Sequence, residues 1–151
     1  MEYSRRKFAV LAASLGALES CKDEQAASAT KEEKLERLRS HAFKFEELPT
    51  KVNQNGSKTH AVFTGLTHAN SKVDVHETEL PAGGSPHPPH HHVHEEMFLI
   101  RTGLLDATVN GETTRLTPGS VFYVNSNDVH GVVNPGPDPV QYFVVALGTD
   151  A

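Results

Sequence analysis

The chain has 151 residues and a formal net charge of −5, which is enough for one domain once an N-terminal segment is set aside. The acidic balance and the lack of clustered lysine and arginine argue against nucleic-acid binding. The single cysteine, Cys21, excludes an internal disulfide.

Residues 1–21 have the pattern of an export signal. Arg5 and Arg6 precede an apolar run, residues 9–18, that is too short to span a bilayer. Adjacent arginines in this position are typical of twin-arginine signals, and the alternative is an ordinary secretory signal whose charged start holds two arginines. Either signal predicts an exported protein, located in the periplasm or anchored to a membrane and facing the periplasm or exterior.

A charged segment follows the predicted signal. Cys21 stands where a lipoprotein signal carries its lipid, although Glu19 departs from the small residues usual there, so a lipid anchor at Cys21 stays open. Residues 22–41 are charged and small, and 31–39 can form a solvated helix, so this segment is predicted to be a helical tether or linker. The globular domain is predicted at 42–150.

Short strand-like segments separated by turns predict an all-β domain. The predicted strands are 61–66, 72–80, 97–109, 112–116, 120–124, 129–134 and 140–147. The turn-forming sequences between or before them are Asn55–Gly56, Asn110–Gly111, Pro118–Gly119 and residues 134–137. Many short strands with no helical stretch between them indicate a sandwich or a barrel.

A histidine-rich segment carries residues at ligand-like spacing. On a β-strand, His90 and His92 would point to the same face, and Glu96 keeps the same parity. His130 follows a turn-forming segment and could close the site from another part of the sheet. These four groups suit one first-row divalent ion with positions left for water or substrate. The alternative is an exposed histidine-rich tract that binds metal loosely.

The same residues resemble the two motifs of the cupin family. The first motif is matched without insertion by Gly84, His90, His92, Glu96 and Gly103. The second motif is matched by Gly119, His130 and Asn134, with Asn125 and Asn127 in place of its proline and glycine. Asn127 can adopt the left-handed backbone that glycine would supply, so the turn is expected to survive.

The resemblance covers roughly residues 60–147 and is to small single-domain cupins of type 2. It implies a jelly-roll barrel, also called a double-stranded β-helix. It also implies a metal-dependent enzyme acting on a small oxygen-rich substrate, of the dioxygenase, decarboxylase or isomerase type. The alternative is a non-catalytic, metal-dependent binding protein for a small molecule or sugar, since one fold hosts many functions.

Metal identity depends on the export route. A twin-arginine signal implies export of the already folded protein. The chain could therefore bind its ion in the cytoplasm before export, without competition from copper and zinc. This favours manganese or iron, with nickel and zinc left open.

Strand parity also predicts pocket residues. Phe98 and Ile100 are expected as pocket walls, His94 as a substrate contact, and Tyr142 as a hydrogen-bond donor into the barrel, with core packing as the alternative. A homodimer is predicted because exposed edges of jelly rolls are commonly paired.

Overall fold

The computed structural model describes residues 35–148, so the predicted signal and most of the predicted tether lie outside the described residues. This part of the chain holds a short 3-10 helix, Phe45–Glu47, and nine strands. The strands are β1 (Thr50–Val52), β2 (Lys58–Leu66), β3 (Lys72–Leu80), β4 (Glu95–Thr102), β5 (Leu105–Val109), β6 (Glu112–Leu116), β7 (Val121–Val124), β8 (His130–Val133) and β9 (Val140–Gly148). None of the helices in this range is long and apolar enough to span a bilayer.

The strands form two antiparallel sheets. The larger has six strands in the order β1-β2-β3-β9-β4-β7, and the smaller has three in the order β6-β5-β8. Some strands that follow one another in the sequence are hydrogen-bonded neighbours, and others are joined by crossovers, as in a jelly roll. The predicted all-β jelly-roll fold is confirmed.

The core lies between the sheets and follows the two-residue period of the strands. On β9, Val140, Tyr142, Val144 and Ala146 are buried while the residues between them are half-buried. The side chains that pack with them include Leu80, Phe98, Ile100, Leu105, Val124 and Val132. Burial of each large side chain is worth roughly 1.5–3 kcal/mol, so this cluster is the main source of stability.

Residues 35–39 belong to the segment predicted to be helical, yet they pair with the end of β2. Leu38 donates its backbone N–H to the Leu66 carbonyl, and Leu66 donates to the Glu36 carbonyl, both at 2.9 Å. Gly65 permits this approach, because a Cβ there would lie 2.8 Å from a methyl carbon of Leu38. Packing against the sheet therefore outweighs the local helix propensity of this charged segment.

The buried amide of Asn134 fixes the loops on one side of the barrel. Its Nδ2 group lies within hydrogen-bond distance of the carbonyls of Leu80, Pro81 and Asp138, and its Oδ1 accepts from the backbone of Gly136. The second-motif asparagine is thus a structural residue that satisfies backbone groups where two loops and a strand end meet.

The single strand predicted over 97–109 is interrupted at Gly103, which separates β4 from β5. Gly103 has a φ of 76°, and a Cβ there would lie 2.8 Å from the Cα of Val140. Gly111, in the Asn-Gly hairpin between β5 and β6, has a φ of 89° but no atom within 4 Å of its ideal Cβ. The two glycines therefore share a left-handed backbone and differ in crowding.

These glycines give a matched pair of stability variants. Gly111→Ala is expected to lower the free energy of unfolding by about 1 kcal/mol, the usual cost of alanine in left-handed backbone. Gly103→Ala should cost about 2 kcal/mol more, because β9 must also shift. Urea denaturation of both variants measures the difference, and equal losses would show that the contact with Val140 is not limiting.

Candidate metal centre

The centre is assembled from a loop and from the starts of two strands. His90 pairs with His130 through an isolated antiparallel bridge, with reciprocal backbone hydrogen bonds of 3.0 and 2.9 Å. His130 is the first residue of β8, and Glu96 is the second residue of β4. The bridge therefore sets two of the predicted ligands opposite one another before any side chain is considered.

The strand predicted to carry His90 and His92 is not continuous with β4. This strand starts only at Glu95, and residues 91–94 lie outside any strand. His92 is held instead through its backbone, because Asn127 donates its N–H to the His92 carbonyl at 2.8 Å. Asn127 has a φ of 64°, so its predicted left-handed conformation is confirmed. The imidazoles converge through loop pairing, not through strand parity.

The predicted ligand groups lie close together. The ring centroids of His90, His92 and His130 are 4.7 to 5.2 Å apart. The Oε2 atom of Glu96 lies 3.4 Å from the Nε2 of His92 and 3.2 Å from the Nε2 of His130. A three-histidine site is therefore present, with a carboxylate beside it.

Backbone hydrogen bonds set the tautomers of two of these histidines. The Nδ1 of His92 lies 2.8 Å from the carbonyl of His94, and the Nδ1 of His130 lies 3.0 Å from the carbonyl of Asp128. Because a carbonyl can only accept, Nδ1 carries a hydrogen in both rings, and in the neutral imidazole, the form that binds metals, Nε2 then carries a lone pair. This is the arrangement in which a ligating histidine donates its other N–H to a backbone carbonyl.

The lone pairs face a carboxylate, which fits a cation between them. Among residues 35–148, the Nε2 atoms of His92 and His130 are buried and have no hydrogen-bond partner. Glu96 has only acceptor atoms when ionised, so it cannot satisfy these nitrogens at 3.2 and 3.4 Å. Buried acceptors without donors are costly, and a divalent ion removes that cost.

His90 is held in the form that binds metals. Burial lowers its pKa, and the neighbouring His87, His130 and His92 lower it further, against a smaller opposite effect of Glu96. A lower pKa keeps the imidazole neutral at physiological pH, and the neutral ring is the metal ligand.

A cavity of about 350 Å³ adjoins the centre. The residues that line it are Asn53, Ser57, Thr59, His76, Thr78, Pro86, His87, Glu96, Phe98, His130, Gly131, Val132, Tyr142 and Val144. Within the described part of the chain, this lining contains no lysine and no arginine. The cavity thus carries no permanent positive side chain.

The four predicted pocket residues are divided by the structure. Phe98 and Tyr142 line the cavity, whereas Ile100 is buried in the core and is not among the described lining residues. His94 stacks on His92 with ring centroids 3.5 Å apart, and its Nε2 lies 3.4 Å from Glu96 Oε1. His94 therefore lies beside the ligand set and outside the described lining of the cavity.

His76 lines the cavity, although it was not among the residues predicted for the pocket. Its signal was weak, since both faces of β3 are at least partly buried and the usual alternation does not separate inside from outside. A polar residue at every second position, Asp74, His76 and Thr78, was the pattern that could have indicated it.

Residues 76–146 match the family model described as Cupin domain. The match includes all four predicted ligands and supports a cupin domain in this part of the chain. No curated protein sequence matches the chain.

Several solved structures are similar to this chain in fold. An RmlC-like cupin from Shewanella frigidimarina is 22% identical, with a TM-score of 0.61, covering 73% of this chain and 93% of its own. KdgF from Halomonas sp. is 20% identical, with a TM-score of 0.62 and coverages of 74% and 97%. A predicted oxalate decarboxylase from Thermotoga maritima is 19% identical, with a TM-score of 0.58 and coverages of 72% and 100%. At these identities the likeness establishes the fold alone.

Tyr142 lines the cavity with a phenol hydroxyl that keeps its proton. Burial raises its pKa, the charges of Glu96 and Glu77 raise it further, and a hydrogen bond with Thr78 offsets part of the effect. Its side chain is almost completely buried. Tyr142 therefore stays neutral and able to donate a hydrogen bond throughout the physiological range.

The raised pKa of Tyr142 predicts a steeper loss of stability at alkaline pH. Above the ordinary tyrosine pKa of about 10, the unfolded chain releases this proton while the folded chain keeps it, so unfolding becomes easier as pH rises. In Tyr142→Phe this dependence should be shallower by up to about 1.4 kcal/mol per pH unit above pH 10. Urea denaturation from pH 8 to 11 measures both slopes, and identical slopes would contradict the assigned environment.

Proposed function

We propose that this chain is a metal-binding cupin that acts as an enzyme on a small oxygen-rich substrate. One divalent ion would be held by His90, His92, Glu96 and His130. The observation that carries the proposal is the pair of buried Nε2 lone pairs, on His92 and His130, that face the Glu96 carboxylate without a donor among the described residues. Such an arrangement has no evident value for an inert barrel, because it costs stability until a cation is bound.

The chain supplies the surroundings that metal chemistry requires. A divalent ion bound there would polarise a carbonyl or activate dioxygen. The backbone carbonyls of His94 and Asp128 orient two of the rings. Phe98 and Val144 exclude water from one wall of the cavity, and Tyr142 can donate a hydrogen bond to a substrate oxygen. These side chains of the barrel wall would thus bind and orient the substrate.

The reaction class is proposed to be dioxygenase-, decarboxylase- or isomerase-like. One fold neighbour is described as a predicted oxalate decarboxylase, which supports the decarboxylase type by analogy only. The competing proposal is a binding protein that holds a ligand at the same centre without turnover. It is favoured by the described lining of the cavity, which contains no aspartate, lysine, arginine or cysteine.

Manganese or iron is the proposed ion, with nickel and zinc as alternatives. Three imidazoles and one carboxylate bind all four, and copper and zinc would prevail on affinity alone. Export of the folded chain, supported by Arg5 and Arg6 before the apolar run, would allow the ion to be chosen beforehand.

Export, a lipid anchor at Cys21 and a homodimer are part of the same proposal. Export and the anchor are supported by the sequence of residues 1–21. A homodimer is supported by exposed apolar side chains on β4 and the edge strand β7, where Leu99, Val121 and Tyr123 are 39%, 61% and 51% exposed. Exposed apolar groups on neighbouring strands are typical of contact surfaces.

The proposal is tested by the metal content of untagged protein recovered from the exported fraction. About one manganese or iron per chain is expected, since the four side chains form one site. His130→Ala should lose the ion, with affinity lowered more than the roughly 10–100-fold typical of changes in outer-shell partners. His68→Ala, in the exposed turn after β2, is the matched control and should keep it.

Elemental analysis and cell fractionation give the two readouts. Metal that stays bound in His130→Ala would show that the histidine-rich tract, not the four-residue centre, is the binder. Protein found only in the cytoplasm would contradict export while leaving the metal centre to be judged on its own result.

A further inference from the structure

His76 lines the same cavity as two of the predicted ligands, Glu96 and His130. It lies on β3, and its strand partner Val144 on β9 is in turn paired with Phe98 on β4, so these three cavity-lining residues form one row across the sheet. Neighbouring strands are about 4.8 Å apart, which places His76 roughly 10 Å along the sheet from the strand that carries Glu96. This separation leaves room for a ring-sized molecule between the two.

Asp74 fixes the ring of His76. The Nδ1 of His76 lies 3.0 Å from Asp74 Oδ1, and the hydroxyl of Thr64 donates to Asp74 Oδ2. The hydrogen bond with His76 is the largest of the effects that lower the pKa of Asp74, so the carboxylate is ionised. An ionised carboxylate can only accept, so Nδ1 of His76 carries a hydrogen, and in the neutral ring Nε2 then carries a lone pair. Nε2 is then an acceptor for a molecule in the cavity.

The charge of the cavity indicates which group His76 would meet. The described lining contains no lysine or arginine, and Asp74 adds a negative charge beside His76. A carboxylate or phosphate at this end would be repelled by Asp74, and the described lining offers no lysine or arginine to compensate its charge. A neutral hydroxyl, in contrast, can donate directly to Nε2.

We propose that His76 is a second ligand-binding point of the cavity and accepts a hydrogen bond from a neutral hydroxyl of the bound molecule. The opposite end of that molecule supplies an oxygen to the metal centre, so the ligand class is a ring-sized hydroxylated carbonyl or enol compound. Asp74 is a positioning residue that holds the acceptor tautomer of His76. This binding point rests on the proposed metal centre, which must bind the other end of the ligand.

Two hydroxypyranones test the inference on protein loaded with zinc. Kojic acid and allomaltol both chelate metals through adjacent carbonyl and hydroxyl oxygens, and they differ only in a hydroxymethyl or a methyl group on the far side of the ring. Calorimetry should show that the wild-type protein prefers kojic acid by about 5- to 10-fold, the value of one hydrogen bond. His76→Phe should lose this preference while its affinity for allomaltol stays within about twofold, because only the acceptor is removed.

Further variants separate recognition from stability. His76→Gln keeps an acceptor and should retain part of the preference, and His68→Phe, at an exposed turn, should retain all of it. Asp74→Asn should reduce the preference and shift the histidine to the tautomer with hydrogen on Nε2. Nitrogen-15 NMR of the imidazole ring detects this change of tautomer. If Asp74 only stabilised the fold, its replacement would not change the preference for kojic acid together with the tautomer.

The outcomes are distinguishable. An unchanged preference for kojic acid in both His76 variants, or no preference in the wild-type protein, would overturn the assignment of His76 while leaving the metal centre intact. Failure of both pyranones to bind zinc-loaded wild-type protein would overturn the proposed open metal centre, and this binding point with it.

Discussion

Two backbone hydrogen bonds between His90 and His130 are the constraint on which the site depends. They join the proline-rich approach to β4 with the start of β8, and thereby connect the large sheet to the small one. A third bond, from Asn127 to the His92 carbonyl, fixes the next histidine of the loop. Without these contacts the loop could place its imidazoles anywhere, because residues 91–94 have no strand partner among the described residues. The fold thus determines the geometry of the histidines through the main chain.

The side chains of the centre are arranged at a cost to the metal-free protein. Ring nitrogens with lone pairs and a carboxylate are held together in a partly enclosed space, and the tautomers of His92 and His130 are already set by backbone carbonyls. A bound cation converts this repulsion into attraction, so metal binding and stability are coupled. The stability that the apolar core between the same sheets supplies can offset this cost.

Much of the fold and of the ligand set followed from local signals in the sequence. The bounds of β3 and β6 were predicted to the residue, since turn-forming residues limit them on both sides. The predicted ligands are brought together. The prediction that His90 and His92 share a strand face was wrong, because the pairing of a loop with a strand distant in sequence cannot be predicted from local periodicity. For the same reason, the backbone carbonyls that orient the rings could not be named in advance. His76 was not predicted as a cavity residue because β3 is partly buried on both faces, and alternation of polar and apolar residues does not separate the two faces of such a strand.

Anomalous diffraction from crystals of the metal-loaded protein, collected on both sides of the metal absorption edge, tests the central claim most directly. A single strong peak is expected between the imidazoles of His90, His92 and His130 and the carboxylate of Glu96, at the roughly 2.0–2.3 Å distances of first-row ions to nitrogen and oxygen. A peak bound instead by the exposed side chains of His87 or His91, with none between the four predicted ligands, would contradict it.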